Sequence, residues 1–496
     1  MTARTELSTL EASGLVQIAA MEPELEYLFR HALVQDAAYS SLLKQDRRTL
    51  HRLAAETLLI LYPERVRELA GVIAMHYELA GDTTPAAEYL VIAGEQAMER
   101  FANREAVAFF DRAEASFAPD DPRIDLRLRA ALGGGRLAWS FRGQEEAIGR
   151  LERALVFGEP DGDPKLLGDL YFWIAFLRRM RGDTIASSDA LRHAVDRAAE
   201  IGATRDDPAA QAMPQAFMAV GMMFSGELRE GTRMLDEALQ VIGPKADPVS
   251  AAILSGLLTM GYARHGDFAA AERSIAVARR LAANGDPIAA LDVDIATSGL
   301  LLERGDLQAG EALATSCAAR SEDLGALACA VPANVMSGAA HLMRDDAAGA
   351  VAPLERGEAL SHIASMGSMQ TLAEGLLGSV RARLGDVSGG NAGWDAALER
   401  ARATQDRYGE AMTLWQRAGT RAHGTSPDLA AAIADVDAAV TLFEQMEAQP
   451  SHARALRDQA LILRALGRGT DADVADQRGQ ALGAELGLRD FATPRG

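Results

Sequence analysis

The chain of 496 residues reads as an all-α solenoid of stacked helix pairs, and three observations predict it. A Gly-Asp turn recurs at Gly182-Asp183, Gly266-Asp267, Gly305-Asp306 and Gly385-Asp386, with variants at Gly226-Glu227 and Asp345-Asp346. Counted from Gly143, successive turns lie 39, 44, 40, 39, 40 and 40 residues apart, the even spacing of a repeat array. Behind each turn, at +5, +9 and +12, stands a small, a large and a small residue: Ala271, Ile275 and Ala278; Ser187, Leu191 and Ala194; Gly231, Leu235 and Ala238. The same triplet is Ala350, Leu354 and Gly357 after Asp345, Gly390, Trp394 and Ala397 after Gly385, and Ala86, Leu90 and Ala93 after Gly81.

Each part of the unit has a physical reason. Glycine supplies the positive φ that ends a helix, and the Asp that follows caps the next one. The triplet spacing puts all three residues on one helical face, where small side chains admit a neighbouring helix and the large one fills the groove. A second apolar helix precedes the turn, as with Leu258 and Tyr262 before Gly266. A single pair cannot bury its own apolar face, so the pairs must stack. Asp121-Pro122, Asp163-Pro164, Asp207-Pro208, Asp247-Pro248 and Asp286-Pro287 mark where units open, with Asp as N-cap and Pro at the first helical position.

Gly266, Asp267, Phe268, Ala271, Ile275 and Ala278, with Tyr262 on the first helix, resemble tetratricopeptide repeats. The resemblance implies a right-handed superhelical solenoid. The period is nearer forty than that family's thirty-four and most copies lack its first-helix Trp. The extra residues are expected to lengthen the connections between units.

Composition narrows the function classes. The net charge of -20, from 70 acidic and 50 basic residues of which only Lys44, Lys165 and Lys245 are lysine, disfavours nucleic acid and anionic membranes as partners of the bulk of the chain. No apolar run approaches the ~18 residues of a membrane span, and Met1-Thr2-Ala3-Arg4 opens no secretory signal, so the expected location is cytoplasmic. Cys317 and Cys329 carry no metal or redox spacing and read as buried small residues on repeat helices.

The first residues differ from the repeats. A short helix over Leu7 to Ala12 breaks at Gly14; Val16 to Ala20 and Leu25 to Phe29 read as strands around a Glu22-Pro23 turn. A helix followed by a β-hairpin is the tail of a winged-helix module, with too few residues ahead for its first helices, so the start reads as truncated or completed by another chain. The stretch Phe29-Arg30-His31-Ala32-Leu33-Val34-Gln35-Asp36-Ala37-Ala38-Tyr39-Ser40-Ser41-Leu42-Leu43 runs on to Arg47-Arg48 and His51-Arg52-Leu53-Ala54. It resembles the junction of large bacterial signalling ATPases (STAND regulators and relatives carrying a class III nucleotide cyclase), between their winged-helix module and C-terminal tetratricopeptide-like repeats. Ala74-Met75-His76-Tyr77 and the run from Ala87 to Ala115 continue the likeness. It is specific from about residue 14 to 117 and rests on repeat type beyond. The phosphate loop of that family is missing, because none of the three lysines follows a Gly.

The domains expected are residues 1–62, a partial winged-helix with junction helices; 63–400, tetratricopeptide-like repeats; and 401–496, degenerate capping repeats, where Gly424 and Gly467 keep the turn spacing, and a disordered tail from Phe491 to Gly496. His31 and His51 read as capping or packing locally, with nucleotide contact by His31 as the functional alternative. Arg47, Arg48 and Arg52 read as a solvated helix face, and Gly133-Gly134-Gly135 as close packing or a kink. His193, His265 and His341 fall on or beside repeat turns and read as structural. No catalytic, cofactor-binding or metal residue is assigned. The function expected is a non-enzymatic, protein-interaction and regulatory sensor module of a signalling ATPase, cyclase or transcription regulator, binding a protein partner or small effector on the solenoid surface. The alternatives are a DNA-binding regulator working through the winged-helix remnant and a subunit completing a split ATPase or cyclase.

Overall fold

The computed structural model describes residues 3–20, 26–159, 161–183, 187, 189–197, 208–242, 248–283, 285–423 and 427–491. The hairpin turn at Glu22-Pro23, the helix openings at Asp207 and Asp247, the turn at Gly424 and the tail beyond Phe491 lie outside them. The chain forms two compact units, one of residues 1–97 and 108–121, the other of residues 98–107 and 122–496.

In the first unit, α1 (Ala3–Ala12) leads through Gly14, at φ +74°, into β1 (Val16–Ala20), which pairs antiparallel with β2 (Glu26–Phe29). Val16 lies opposite Phe29 and Ile18 opposite Tyr27, and the register shifts between Ile18 and Ala20. Then come α2 (Ala32–Ser41), α3 (Lys44–Leu61), α4 (Val66–Ala80) and α5 (Thr83–Glu99). Their core is Ala55, Ile73, Tyr77 and Ala86, with the Tyr77 and Tyr89 rings stacked at 5.8 Å. Helix α6 (Asn103–Ser116) follows.

The second unit is a run of helix pairs: α7 (Ile124–Phe141) with α8 (Gln144–Gly158), α9 (Pro164–Arg181) with α10 (residues 189–197), α11 (Pro208–Ser225) with α12 (Leu228–Ile242), and α13 (Pro248–His265) with α14 (Phe268–Ala282). The run continues as α15 (Pro287–Arg304) with α16 (Leu307–Leu324), α17 (Leu327–Met343) with α18 (Ala347–Ala364), and α19 (Gly367–Arg383) with α20 (Val387–Thr404). It closes with α21 (Arg407–His423) and α22 (Leu429–Met446), then α23 (Gln449–Ala465) and α24 (Gly469–Leu486), before a 3-10 turn at Arg489–Phe491. This is a tetratricopeptide-like helical solenoid. The triplets sit where expected: Ala271, Ile275, Ala278, Leu354, Trp394 and Ala397 are buried. Asp267, Asp346 and Asp386 cap their helices by accepting from Ala270, Gly349 and Gly389 N–H, and Asp163 and Asp286 cap the Pro-started helices α9 and α15. Cys317 takes the +12 position after Gly305 and is fully buried.

The expectation that longer connections account for the forty-residue period fails. From α15 onward the helices are 17 or 18 residues long. Between α16 and α21 each second helix is followed by only two residues before the next first helix. A left-handed residue ends each second helix, at Gly325, Ser365, Gln405 and Glu447, and turns the chain at once into the next unit, while Gly487 ends α24 in the same way. The added length went into helix, which enlarges the face each pair buries against its neighbours.

The repeat does not show that the second unit closes on itself. First helices five pairs apart touch: α7 with α17, α9 with α19, α11 with α21 and α13 with α23. One apolar cluster joins Leu235, Leu254 and Leu258 from α12 and α13 to Trp415, Val436 and Phe443 from α21 and α22. The turn glycines lie on this seam. A Cβ on Gly266 would come 2.6 Å from Leu486 Cδ2, whereas one on Gly385, in the second turn of the coil, would meet nothing within 4 Å. Both have positive φ, 89° and 102°. Gly385→Ala is therefore expected to cost only the ~1–2 kcal/mol of a left-handed residue, and Gly266→Ala up to ~1 kcal/mol more, because the end of the Leu486 side chain has to move aside. Denaturant midpoints of the two variants check this; equal losses would remove Gly266 from a tight seam.

Candidate ligand cavity

A cavity of about 230 Å³ opens between α9, α10 and α11. These elements take their positions from aromatic packing. Phe172 and Phe176 of α9 meet Phe217 of α11 edge-on, with ring centroids 3.9 and 5.4 Å apart, and Trp173 and Trp139 close around Phe176. The rings cannot fill the space toward the helix C-termini, where Met180, Leu191, Met218 and Met222 line an apolar wall. Gln405, five pairs further on, borders the opening. Its φ of +56° ends α20 there.

Among the described residues, one charged side chain lines this space. The Arg179 Nη2 donates to Gly221 O at 2.8 Å, and burial pushes the guanidinium's pKa down while the Asp406 carboxylate opposes that shift. Arg179 and Met180 also border a second, smaller pocket with Gly182, Ser368, Thr404 and Asp406. There the Ser368 hydroxyl is shut off from water without a hydrogen-bond partner. Asp406 caps α21 by accepting from Gly409 N–H at 2.9 Å. Burial raises its pKa, against the Gly409 hydrogen bond and the Arg264 and Arg179 charges. The two wall hydroxyls are engaged: Ser187 donates to Ala175 O and Ser225 to Gly221 O.

The residues singled out by sequence lie elsewhere. His31 is exposed and makes no side-chain cap on α2. His51 joins Tyr39 OH at 3.0 Å and His76 Nδ1 at 2.9 Å, so it packs locally. Arg47 stacks over Tyr39 and Arg52 pairs with Asp82. Gly133, Gly134 and Gly135 are buried inside α7, with Gly135 against Leu151. His193 stacks on Tyr171, His341 contacts Asp346, and burial lowers the pKa of His265. Sequence inspection missed one grouping: Glu358 and His362 on α18 and Glu374 on α19 bring ligand-type atoms within 4.8 Å. Arg400 and Gln370 already engage the Glu374 carboxylate, so protein cations and donors satisfy it. Arg179 and Phe217 were also missed, because no spacing rule distinguishes cavity walls from core. The only signal was the density of aromatic and Met residues between 171 and 223.

No protein-family model matches the chain, and no curated protein matches it in sequence. Solved structures similar to it include a Rap protein complexed with competence and sporulation factor, at 12% identity over 81% of this chain and 98% of that one, with a TM-score of 0.45. The Cut9–Hcn1 hetero-tetramer of the APC/C matches at 14% identity over 90% and 89%, with a TM-score of 0.48. A signal transduction ATPase with numerous domains and a tetratricopeptide repeat sensor, from Pyrococcus horikoshii, matches at 9% over 91% and 74%, with a TM-score of 0.39. Among the described residues no helix is long and apolar enough to cross a membrane.

Proposed function

We propose that the chain is a non-enzymatic regulatory module of a cytoplasmic signalling ATPase, nucleotide cyclase or transcription regulator, binding a protein partner through its first unit and responding to ligand in its solenoid. The observation that carries the reading is the surface of α2 and α3. Helix α2 buries none of its residues, and Leu33, Leu43 and Ile60 are 81%, 72% and 77% exposed, with Leu50, Leu53 and Leu61 also open to solvent. Large apolar side chains left exposed along two consecutive helices favour the docking of another protein there. In this reading residues 1–62 are a partial winged-helix with its junction helices, 63–400 the repeats and 401–496 the cap. Ligand contact shifts the population of solenoid conformations, and the first unit relays the change.

The test uses the purified chain as bait in lysate of its own organism. Recovery of an ATPase, cyclase or transcription regulator is expected. The double variant Leu33→Asp, Ile60→Asp is expected to lose at least ten times the captured partner with an unchanged melting temperature, since both side chains are exposed. Failure of the folded wild-type chain to retain any such protein overturns the reading. Recovery of DNA instead would favour the winged-helix remnant as a DNA-binding element.

A further inference from the structure

Helix α3 carries two apolar faces. One packs into the first unit through Ala55, Leu58 and Leu59. The other runs along the opposite side as Leu43, Leu50, Leu53 and Ile60, each half or more exposed. Their spacing of 7, 3 and 7 residues is that of a coiled-coil seam, with Leu43 and Leu50 at a positions and Leu53 and Ile60 at d positions. The remaining seam positions, Asp46 and Thr57, are exposed as well. An apolar seam of this spacing, opposite a face that is already buried, presents knobs and holes for a second helix.

This seam is its own complement. Laid antiparallel against a second α3, Leu43 of each copy comes level with Ile60 of the other, and Leu50 with Leu53. The same register sets Asp46 against Thr57 rather than against a second Asp46. Charge selects this direction. Helix α3 opens with Lys44, Arg47 and Arg48. A parallel pair would set these cations side by side, where like charges repel. An antiparallel pair holds them at opposite ends, each group level with the half of the other helix that carries Glu56, and it also opposes the two helix dipoles. A two-fold pairing needs one self-complementary patch, and the palindromic seam supplies it. We propose that the exposed seam of α3 is a self-association surface, covered by α3 of a second copy of this chain in a two-fold antiparallel pair. The docking surface proposed for a regulated protein includes this helix, so a second copy and that protein exclude each other there. The self-pair then keeps the docking surface covered until the partner displaces it. This competition rests on the proposed function; the pairing itself does not.

Sedimentation equilibrium of the full chain at micromolar concentrations tests the pairing. A concentration-dependent dimer is expected. Leu50→Asp with Leu53→Asp puts carboxylates at the centre of the seam and is expected to weaken the dimer at least a hundredfold with an unchanged helical spectrum, because both side chains are exposed. Cysteine variants read the register and leave the rest of the seam intact, and the native Cys317 and Cys329 are buried. Mixed Leu43→Cys and Ile60→Cys chains are expected to link through a short bismaleimide. Leu43→Cys chains alone are expected not to, since the two-fold register holds the two copies of that position ~25 Å apart along the helix. A monomer at every concentration, a dimer untouched by the Asp substitutions, no link in the mixed pair, or linking of Leu43→Cys chains to each other overturns the proposal. Sedimentation needs no lysate, so the two readings fail separately. A monomer that still captures a regulator removes the pairing alone, and a dimer that captures nothing removes the partner reading alone.

Discussion

Replacing Arg454 by alanine is expected to destabilise the second unit by about 3–5 kcal/mol, the cost of removing one partner from a buried ion pair. Arg454 sits on α23 and is only 3% exposed. Its Nε donates to Asp490 Oδ2 at 2.7 Å and its Nη2 to Asp490 Oδ1 at 3.1 Å and Glu303 O at 2.9 Å. Tyr408 OH donates to Glu303 Oε1 at 3.0 Å, and Arg489 pairs with Asp306 at 2.5 Å. These contacts clasp the final 3-10 turn onto the end of α15. Without the guanidinium, the side chains of Glu303 and Asp490 stay largely buried with their main countercharge gone. Burial already raises the Glu303 pKa, with Arg454 the largest opposing influence. In the variant that carboxyl rises further. The deficit relative to wild type should therefore shrink as pH falls and the carboxyls protonate instead of staying charged. Adding Glu303→Gln and Asp490→Asn should recover part of the loss, because the three groups act as one network. Denaturant midpoints at pH 7 and pH 5 measure both effects. A loss near 1 kcal/mol, as for a surface pair, would show that the clasp is not closed in solution.

The sequence carried the unit of this fold but not its closure. Gly266, Asp267 and the Ala271–Ala278 face are local, and each residue type is forced by a turn, a cap or a neighbouring helix a dozen residues away. The second set of turns was harder to see because Ser365, Gln405 and Glu447 adopt positive φ, a conformation that side chains other than Gly and Asn seldom signal. Without them the forty-residue period looked like a thirty-four-residue repeat with long connections. Closure was illegible for a different reason. The pitch of a solenoid is the sum of small rotations between neighbouring pairs, so no short motif encodes that Gly182 will meet Thr404 or that Gly266 will meet Leu486. The cavity inherits the same problem. Arg179 on α9 and Gln405 at the end of α20 both line it, and they approach only because the coil closes. Cys317 was legible, since its place at +12 in a triplet leaves burial as the simple outcome.

Replacing Asp292 by asparagine is expected to stabilise the protein by up to about 4 kcal/mol at pH 8 and by only about a third of that at pH 5. Asp292 lies on α15. Its Oδ2 is out of contact with water and has no hydrogen-bond partner, while Oδ1 takes only the Cys329 thiol at 3.5 Å. Burial is the main cause that pushes its carboxyl up to about 7; Asp286 adds to the rise and the thiol opposes it. A carboxyl raised in the folded state binds its proton there while the unfolded chain has already lost it. Stability from this group is therefore fully present below the unfolded value near 4, and is lost progressively as pH rises through about 7. A shift of about three units sets a ceiling of ~4 kcal/mol on what asparagine can recover at pH 8. Asparagine keeps the shape and an acceptor for the thiol but carries no charge, so at pH 5, where the native carboxyl is neutral but the unfolded one is mostly ionised, it recovers only about 1.4 kcal/mol. Cys329 gives an independent readout. Burial comes first and the Asp292 charge second among the causes that hold its thiol well above the ordinary range, so removing that charge should make it easier to ionise and faster to react with a thiol reagent at high pH. A stability gain equal at both pH values would trace the effect to packing rather than to ionisation of this carboxyl.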